Sequence, residues 1–233
     1  MVKKSFSVLV MLTYTLCYAQ SGLDAYKAKN YEKAFELYKK EAINGDTTSQ
    51  NALSYLYFNG VGVTKDSKKG LEWLQKSAHN MNARAQYDLA MMYLQGHNVK
   101  QDSKLAFSWL DSASDLGNAD AQYNLSLMYY RGDSVDANGT KSAQLLEKSA
   151  LGGNAQALKN VGRVYMQLLK FDKAASWLEL NAQSGDEESY YLLAEIYCEQ
   201  EKFKLAKKWA QKSMDVGNAD AQLLWFKYNL EKY

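Results

Sequence analysis

The hexapeptide Gly117-Asn118-Ala119-Asp120-Ala121-Gln122 is spelled a second time at Gly217–Gln222. It is either a ligand loop used twice or punctuation in a repeated architecture. The columns around it decide. Gly60, Gly96 and Gly132 lie 36 residues apart, a tyrosine (Tyr57, Tyr93, Tyr129) precedes each by three, and a leucine (Leu53, Leu89, Leu125) precedes each tyrosine by four. Tyr165 keeps the step of 36, and Tyr197 follows 32 later. A second column, Leu37, Trp73, Trp109, Leu145, Trp177 and Trp209, steps by 36 three times and then by 32 twice. One unit of 36 and two of 32 separate the two hexapeptides, so their identity is a matter of register. Periods of this size are the signature of stacked helical or propeller repeats.

The hexapeptide reads residue by residue as the end of one helix and the start of the next. Glycine just past a helix end accepts the left-handed conformation that closes a C-cap. Asn or Asp then supplies the N-cap oxygen of the following helix, and the small Ala119 and Ala121 let two helices approach. The closing pairs are Gly45-Asp46, Met81-Asn82, Gly117-Asn118, Gly153-Asn154, Gly185-Asp186 and Gly217-Asn218. A phosphate cradle is excluded, because no strand precedes the motif and neither Gly-x-Gly-x-x-Gly nor Gly-Lys-Ser/Thr occurs. Between the caps the spacing is helical: Ala121, Leu125, Met128 and Tyr129 recur at i, i+4, i+7 and i+8. The chain has no proline, which favours uninterrupted helices. The expected fold is all-α, an α-α superhelical solenoid of about six helix pairs (A then B) running through 20–233. Its units are 47–82, 83–118 and 119–154, then 155–186 and 187–218, with partial units at 22–46 and 219–233.

The N-terminus differs from the rest. Lys3 and Lys4 precede a mostly apolar run from Phe6 to Cys17, shorter than the roughly 20 residues that span a bilayer. Cys17 and Ala19 put small residues at the two positions a signal peptidase reads, so 1–19 is expected to be a signal peptide and Gln20 the mature start. Leu16 stands where a lipoprotein signal would carry a small residue before an acylated Cys17. The chain has 28 basic and 26 acidic residues, and 1–19 holds two of the lysines and no acid. The mature chain is therefore near neutral, without the counterion-release drive that nucleic-acid binding exploits, and no basic stripe marks a membrane surface. Cys198 remains alone, so no intramolecular disulfide forms.

The columns Ala-x-Ala-Gln-x-x-Leu-x-x-x-Tyr-x-x-Gly, then Val-x-x-Asp, Ala-x-x-Trp and Gly-Asn resemble the Sel-one-like repeat, a relative of the tetratricopeptide repeat with a longer turn. Residues 47–154 match over three copies, 22–46 and 155–218 look like ordinary tetratricopeptide repeats, and 219–233 looks like a lone A helix. Met81 replaces a glycine, Leu145 a tryptophan and Gly70 an alanine. The resemblance implies a right-handed superhelix with A helices lining the concave side, and a role as scaffold or binding module. Many bacterial members are exported, and some periplasmic ones resemble immunity proteins that neutralise toxins delivered by neighbouring cells. The implied protein is non-enzymatic, monomeric, periplasmic or secreted, and directed at a protein partner. A scaffold or regulator of an envelope or secretion complex is the alternative. Cysteine-rich members have been credited with β-lactam hydrolysis, but their paired cysteines are missing here.

No chemical centre can be assembled. His79 and His97 sit in interhelix turns of different repeats, without ligand partners at zinc spacing. Cys198 has no histidine base near it in sequence. Asp133 and Asp136 lack calcium-loop spacing. The periodic residues Trp73, Trp109, Trp177, Trp209 and the tyrosine column read as core. The A-helix positions two before, two after and five after the recurring leucine face the concave side. There the expected partner-binding residues are Tyr55, Phe58, Tyr87, Met91, Tyr123, Leu127 and Tyr130, with Arg163 at the edge, residue types enriched at protein interfaces. The same positions can also pack on a neighbouring helix, and the sequence leaves that alternative open.

Overall fold

The structure, a computed structural model, describes residues 21–233, so the expected signal segment lies outside the described residues. Thirteen α-helices and a closing 3-10 turn make up these residues. The A helices are α1 (Gly22–Lys27), α3 (Thr47–Asn59), α5 (Ala83–Gln95), α7 (Ala119–Arg131), α9 (Ala155–Gln167), α11 (Glu188–Glu199) and α13 (Ala219–Lys227). The B helices are α2 (Tyr31–Ile43), α4 (Ser67–His79), α6 (Ser103–Asp115), α8 (Gly139–Leu151), α10 (Phe171–Gln183) and α12 (Phe203–Asp215). Each packs chiefly on its neighbours in sequence, which is the helical solenoid the periods call for.

Every letter of the hexapeptide has a contact. Gly117 sits at φ +84°. Asn118 Oδ1 accepts the Ala121 amide at 2.8 Å, and Asn118 Nδ2 reaches back to the Ala83 carbonyl, the first residue of the preceding A helix, at 3.5 Å. In the next unit Asn154 Nδ2 donates to Asp120 Oδ1 at 2.9 Å. Asparagine therefore caps one helix and ties it to the previous repeat, which aspartate cannot do because it has no donor. Gln122 Nε2 donates to the Ser114 carbonyl at 3.1 Å, as Gln86 does to Ala78 and Gln50 to Ala42. Met81, the non-glycine, holds the same left-handed backbone at φ +62°. One closing pair behaves differently. Asp186 does not cap α11, which starts after a helical Glu187 with no side-chain cap; its carboxylate accepts the Ser189 hydroxyl instead.

The core is a row of four apolar clusters along the array. Its spine is the leucine column: Leu53, Leu89 and Leu125 are at most 1% exposed. The tyrosines follow, with Tyr57, Tyr129, Tyr165 and Tyr197 buried and Tyr93 only half-buried. The tryptophan expectation needs correction. Trp209 is buried, but Trp73, Trp109 and Trp177 are half-buried, while the adjacent Leu74, Leu110 and Leu178 are closed off. An indole is too large to be enclosed between helices set close by alanines, so its outer edge stays at the surface. Lys76 Nζ lies 4.8 Å from the centre of the Trp73 ring. His79 also differs from expectation: it is the last residue of α4 rather than part of a turn, and its ring meets Trp109 edge-on at 5.3 Å.

Candidate protein-binding face

The A helices form one face, and two of the clefts that open on it hold most of the expected partner-binding residues. The larger, about 630 Å³, lies between α3 and α5 and is closed at one end by α1 and α2. Tyr55, Phe58 and Met91 line it, together with Tyr26, Arg84 and Asp88. Tyr55 is 50% exposed. The neighbouring Tyr55 hydroxyl is the main cause that holds the Tyr26 phenol above its usual range. Phe58 lies over Gly70: a Cβ there would come within 2.8 Å of the ring. The departure from alanine at position 70 thus makes room for the aromatic floor. Arg84 Nε donates to Asp88 Oδ1 at 3.0 Å. Burial pushes the Asp88 carboxyl above the ordinary carboxylate range, and Arg84 and Asn51 offset part of that. Largely apolar walls with a few placed polar groups are what ligand-receiving clefts usually offer.

The second cleft, about 250 Å³, lies between α7, α8 and α9. Leu127, Tyr130 and Arg163 line it. Tyr130 is 50% exposed, and its hydroxyl donates to Gln167 Oε1 at 3.3 Å. Arg163 pairs with Glu188 on α11.

Tyr87 and Tyr123 line neither cleft. Tyr87 packs against the core between α5 and α8, and Tyr123 against the C-terminal cluster. Burial is also the main cause that raises the Tyr87 phenol. For these two, the packing alternative left open by the sequence describes the structure. Arg84, Asp88 and Tyr26 were not singled out by sequence. Arg84 and Asp88 stand at i, i+4 on an A helix, a spacing that pairs opposite charges. That pair, interrupting an otherwise apolar face, was the available signal. Farther along, Cys198 is 2% exposed and burial is the main cause that pushes its thiol up to about 11. This is the state of an inert packing thiol rather than a nucleophile.

A family model described as the Sel1 repeat matches residues 16–46, 47–80, 83–118 and 119–154. The match takes in 22–46, whose columns look more like an ordinary tetratricopeptide repeat. No curated protein matches the sequence. Among solved structures, the chain is similar to a Sel1 repeat protein from Oxalobacter formigenes, at 26% identity over 86% of this chain and 83% of that one, with a TM-score of 0.65. It is also similar to a protective antigen of uropathogenic Escherichia coli displaying an SLR fold (25% identity, 88% and 56% covered, TM-score 0.48). A third similar structure is the immunity protein Pa5087 of Pseudomonas aeruginosa (21% identity, 86% and 83% covered, TM-score 0.45). With four matched units spanning more than half of its length, and the helix pairs that those units require, the chain belongs to the Sel1 repeat family.

Proposed function

We propose that this chain is an exported, non-enzymatic protein-interaction module whose A-helix face holds a segment of a protein partner in the cell envelope. The observation that carries the reading is the cleft between α3 and α5, where exposed Tyr55 and the Phe58 and Met91 side chains surround the partly buried Asp88 carboxylate, paired with an exposed Arg84. Keeping the Asp88 carboxylate ionised in an apolar cleft costs desolvation free energy, which the exposed Arg84 offsets only in part. A partner that offers hydrogen bonds to the pair would offset that cost. Export rests on Lys3, Lys4 and the short apolar run that follows. A delivered toxin is the specific partner that the family resemblance suggests.

The partner is sought by capture from envelope extract, and the face is then tested with Tyr55→Ala plus Tyr130→Ala. Both side chains are half exposed, so the double variant should keep its melting temperature. If both are anchors costing ~2 kcal/mol each, binding falls by roughly a thousandfold. Unchanged binding in the folded variant would remove the face from consideration. Export is tested separately by N-terminal sequencing of the natively produced protein, which should begin at Gln20; an intact Met1 on a cytoplasmic product would refute it.

A further inference from the structure

The A-helix column that contains Asp88 reads Ala52, Asp88, Asn124, Asn160, Leu192, Leu224. The other copies stand on alanine, asparagine or leucine, so the helix pair requires no carboxylate at this place. Burial makes one costly. Among the described residues that line the cleft between α3 and α5, Asp88 is the one acid. It is also accessible: its side chain keeps 31% of its surface. Arg84 engages it at a single oxygen, Oδ1, through Nε at 3.0 Å. The Arg84 guanidinium lies 5.6 Å from the centre of the Tyr87 ring, and Tyr87 is outside the cleft. Oδ2 is left for a second donor.

The surroundings of the carboxylate suit a cation. Asn51 and Arg84 favour its charged form, and Asp120 on α7 adds negative charge nearby. Tyr55 follows Asn51 by four residues on α3, and Met91 follows Asp88 by three on α5, so each lies about one helical turn farther along its helix face. Both line the cleft, and Phe58 extends the aromatic surface. From this arrangement we infer that the cleft is a subsite for one arginine side chain of a protein partner, its stem on Tyr55 and Met91 and its guanidinium on Asp88 Oδ2 beside Asn51. Arginine fits better than lysine, because a planar and weakly hydrated guanidinium can lie on aromatic surface while it pairs. Arg84 keeps Oδ1, so one carboxylate bridges two cations, and the incoming charge offsets what burial costs the carboxylate. The inference deepens the reading of the A-helix face as a protein-binding surface and rests on it. Its test adds small probes to the captured partner, so either can fail without the other.

The probes are acetyl-arginine methylamide, its neutral citrulline isostere and acetyl-lysine methylamide. They are added to the full mature chain with labelled methionine methyls, in mildly alkaline buffer to keep Asp88 charged. Met91 and Met92 line the cleft, and Met128, in another cluster, is the reference. The arginine probe should shift the Met91 methyl saturably, with a dissociation constant in the millimolar range, and leave Met128 in place. Citrulline should bind about tenfold more weakly, the worth of a hydrogen bond to a charged group, and lysine between the two. Asp88→Asn should abolish the discrimination between arginine and citrulline, whereas a carboxylate that only positions Arg84 would leave it intact. Arg84→Gln should tighten the arginine probe, by up to about fivefold, because it frees Oδ1 and removes a like charge. With the captured partner, Asp88→Asn should cost about tenfold in affinity. No saturable shift, equal binding of the charged and neutral probes, lysine binding as tight as arginine, or discrimination that survives Asp88→Asn would overturn the subsite. A partner that needs Tyr55 and Tyr130 but ignores Asp88→Asn would overturn the subsite and keep the wider face. Probe binding that follows Asp88, with a partner indifferent to Tyr55 and Tyr130, would keep the subsite and remove the wider face.

Discussion

At the scale of single residues, the repeat works through side chains that bridge units, and its irregular copies show what each bridge is worth. Gln50 has both ends satisfied, donating to the Ala42 carbonyl and accepting from Asn80 Nδ2 at 3.1 Å. Gln86 makes the equivalent donation to Ala78, but its Oε1 has no partner. The residue 36 places after Asn80 is Leu116, a helix C-cap with nearly the same backbone angles and 40% exposed. Leu116→Asn should supply the missing donor and raise stability by about 1 kcal/mol, the net worth of a typical buried hydrogen bond, read as a higher denaturation midpoint. Met81 offers a second repair. It holds φ +62° where the other units use glycine, a conformation that costs a residue with a Cβ roughly 1–2 kcal/mol. Its side chain is 68% exposed, so Met81→Gly gives up little packing. The expected gain is about 1 kcal/mol, or roughly 2–4 °C for a chain of this size; a drop in melting temperature would show that the Met81 side chain packs more than its exposure suggests.

At the scale of elements, α5 carries a carboxyl that the fold holds at a cost in stability. Burial is the largest cause acting on the Asp88 carboxyl and raises it, Arg84 and Asn51 lower it, and Asp120 adds a small upward push. A carboxyl that is harder to ionise in the folded state than in the unfolded chain subtracts stability once it is charged. The loss is absent below the ordinary aspartate range and grows as pH rises through that range toward the higher folded value. Asp88→Asn should therefore raise the melting temperature at neutral pH and leave it unchanged in acid; a lower neutral melting temperature would mean that the Arg84 pair outweighs the desolvation. The helices themselves were legible because most boundaries are written in cap chemistry: Asp46, Asn82, Asn118, Asn154 and Asn218 accept the amides they were expected to, and Asp66, Asp102 and Asn138 do the same for B helices. Periodicity tells which side of a helix faces its neighbour, but not how far the neighbour's side chains reach over it. For that reason Trp73 was read as core although its edge is open, and Tyr87 as groove although α5 lays it on the core. The start of α11 was missed for another reason: Gly185-Asp186 has the right letters, but the Asp186 carboxylate is taken by Ser189.

At the scale of the molecule, the four clusters divide the core unequally. Three of them serve the array from α1 to α8. The fourth is continuous from Ala143 to Leu230 and joins Tyr165 and Leu178 to Ile196, Tyr197 and Trp209. In a solenoid, stability is close to a sum of unit and nearest-neighbour terms, so damage should stay where it is made. Deleting 187–233 removes α11 to α13 and strips one side from the fourth cluster, but it leaves the other three intact. It also removes Glu179's role as acceptor of the Tyr197 hydroxyl, while the homologous bond from Tyr165 to Glu147, at 2.6 Å, stays within the remainder. The shortened chain should keep its helical circular dichroism per residue and melt at a lower temperature. Its amides in α3 to α7 should retain their hydrogen-exchange protection while those of α9 and α10 lose theirs. Uniform loss of protection along the whole chain would mean that the clusters unfold as a single unit, and the one-dimensional account of this array would have to be abandoned.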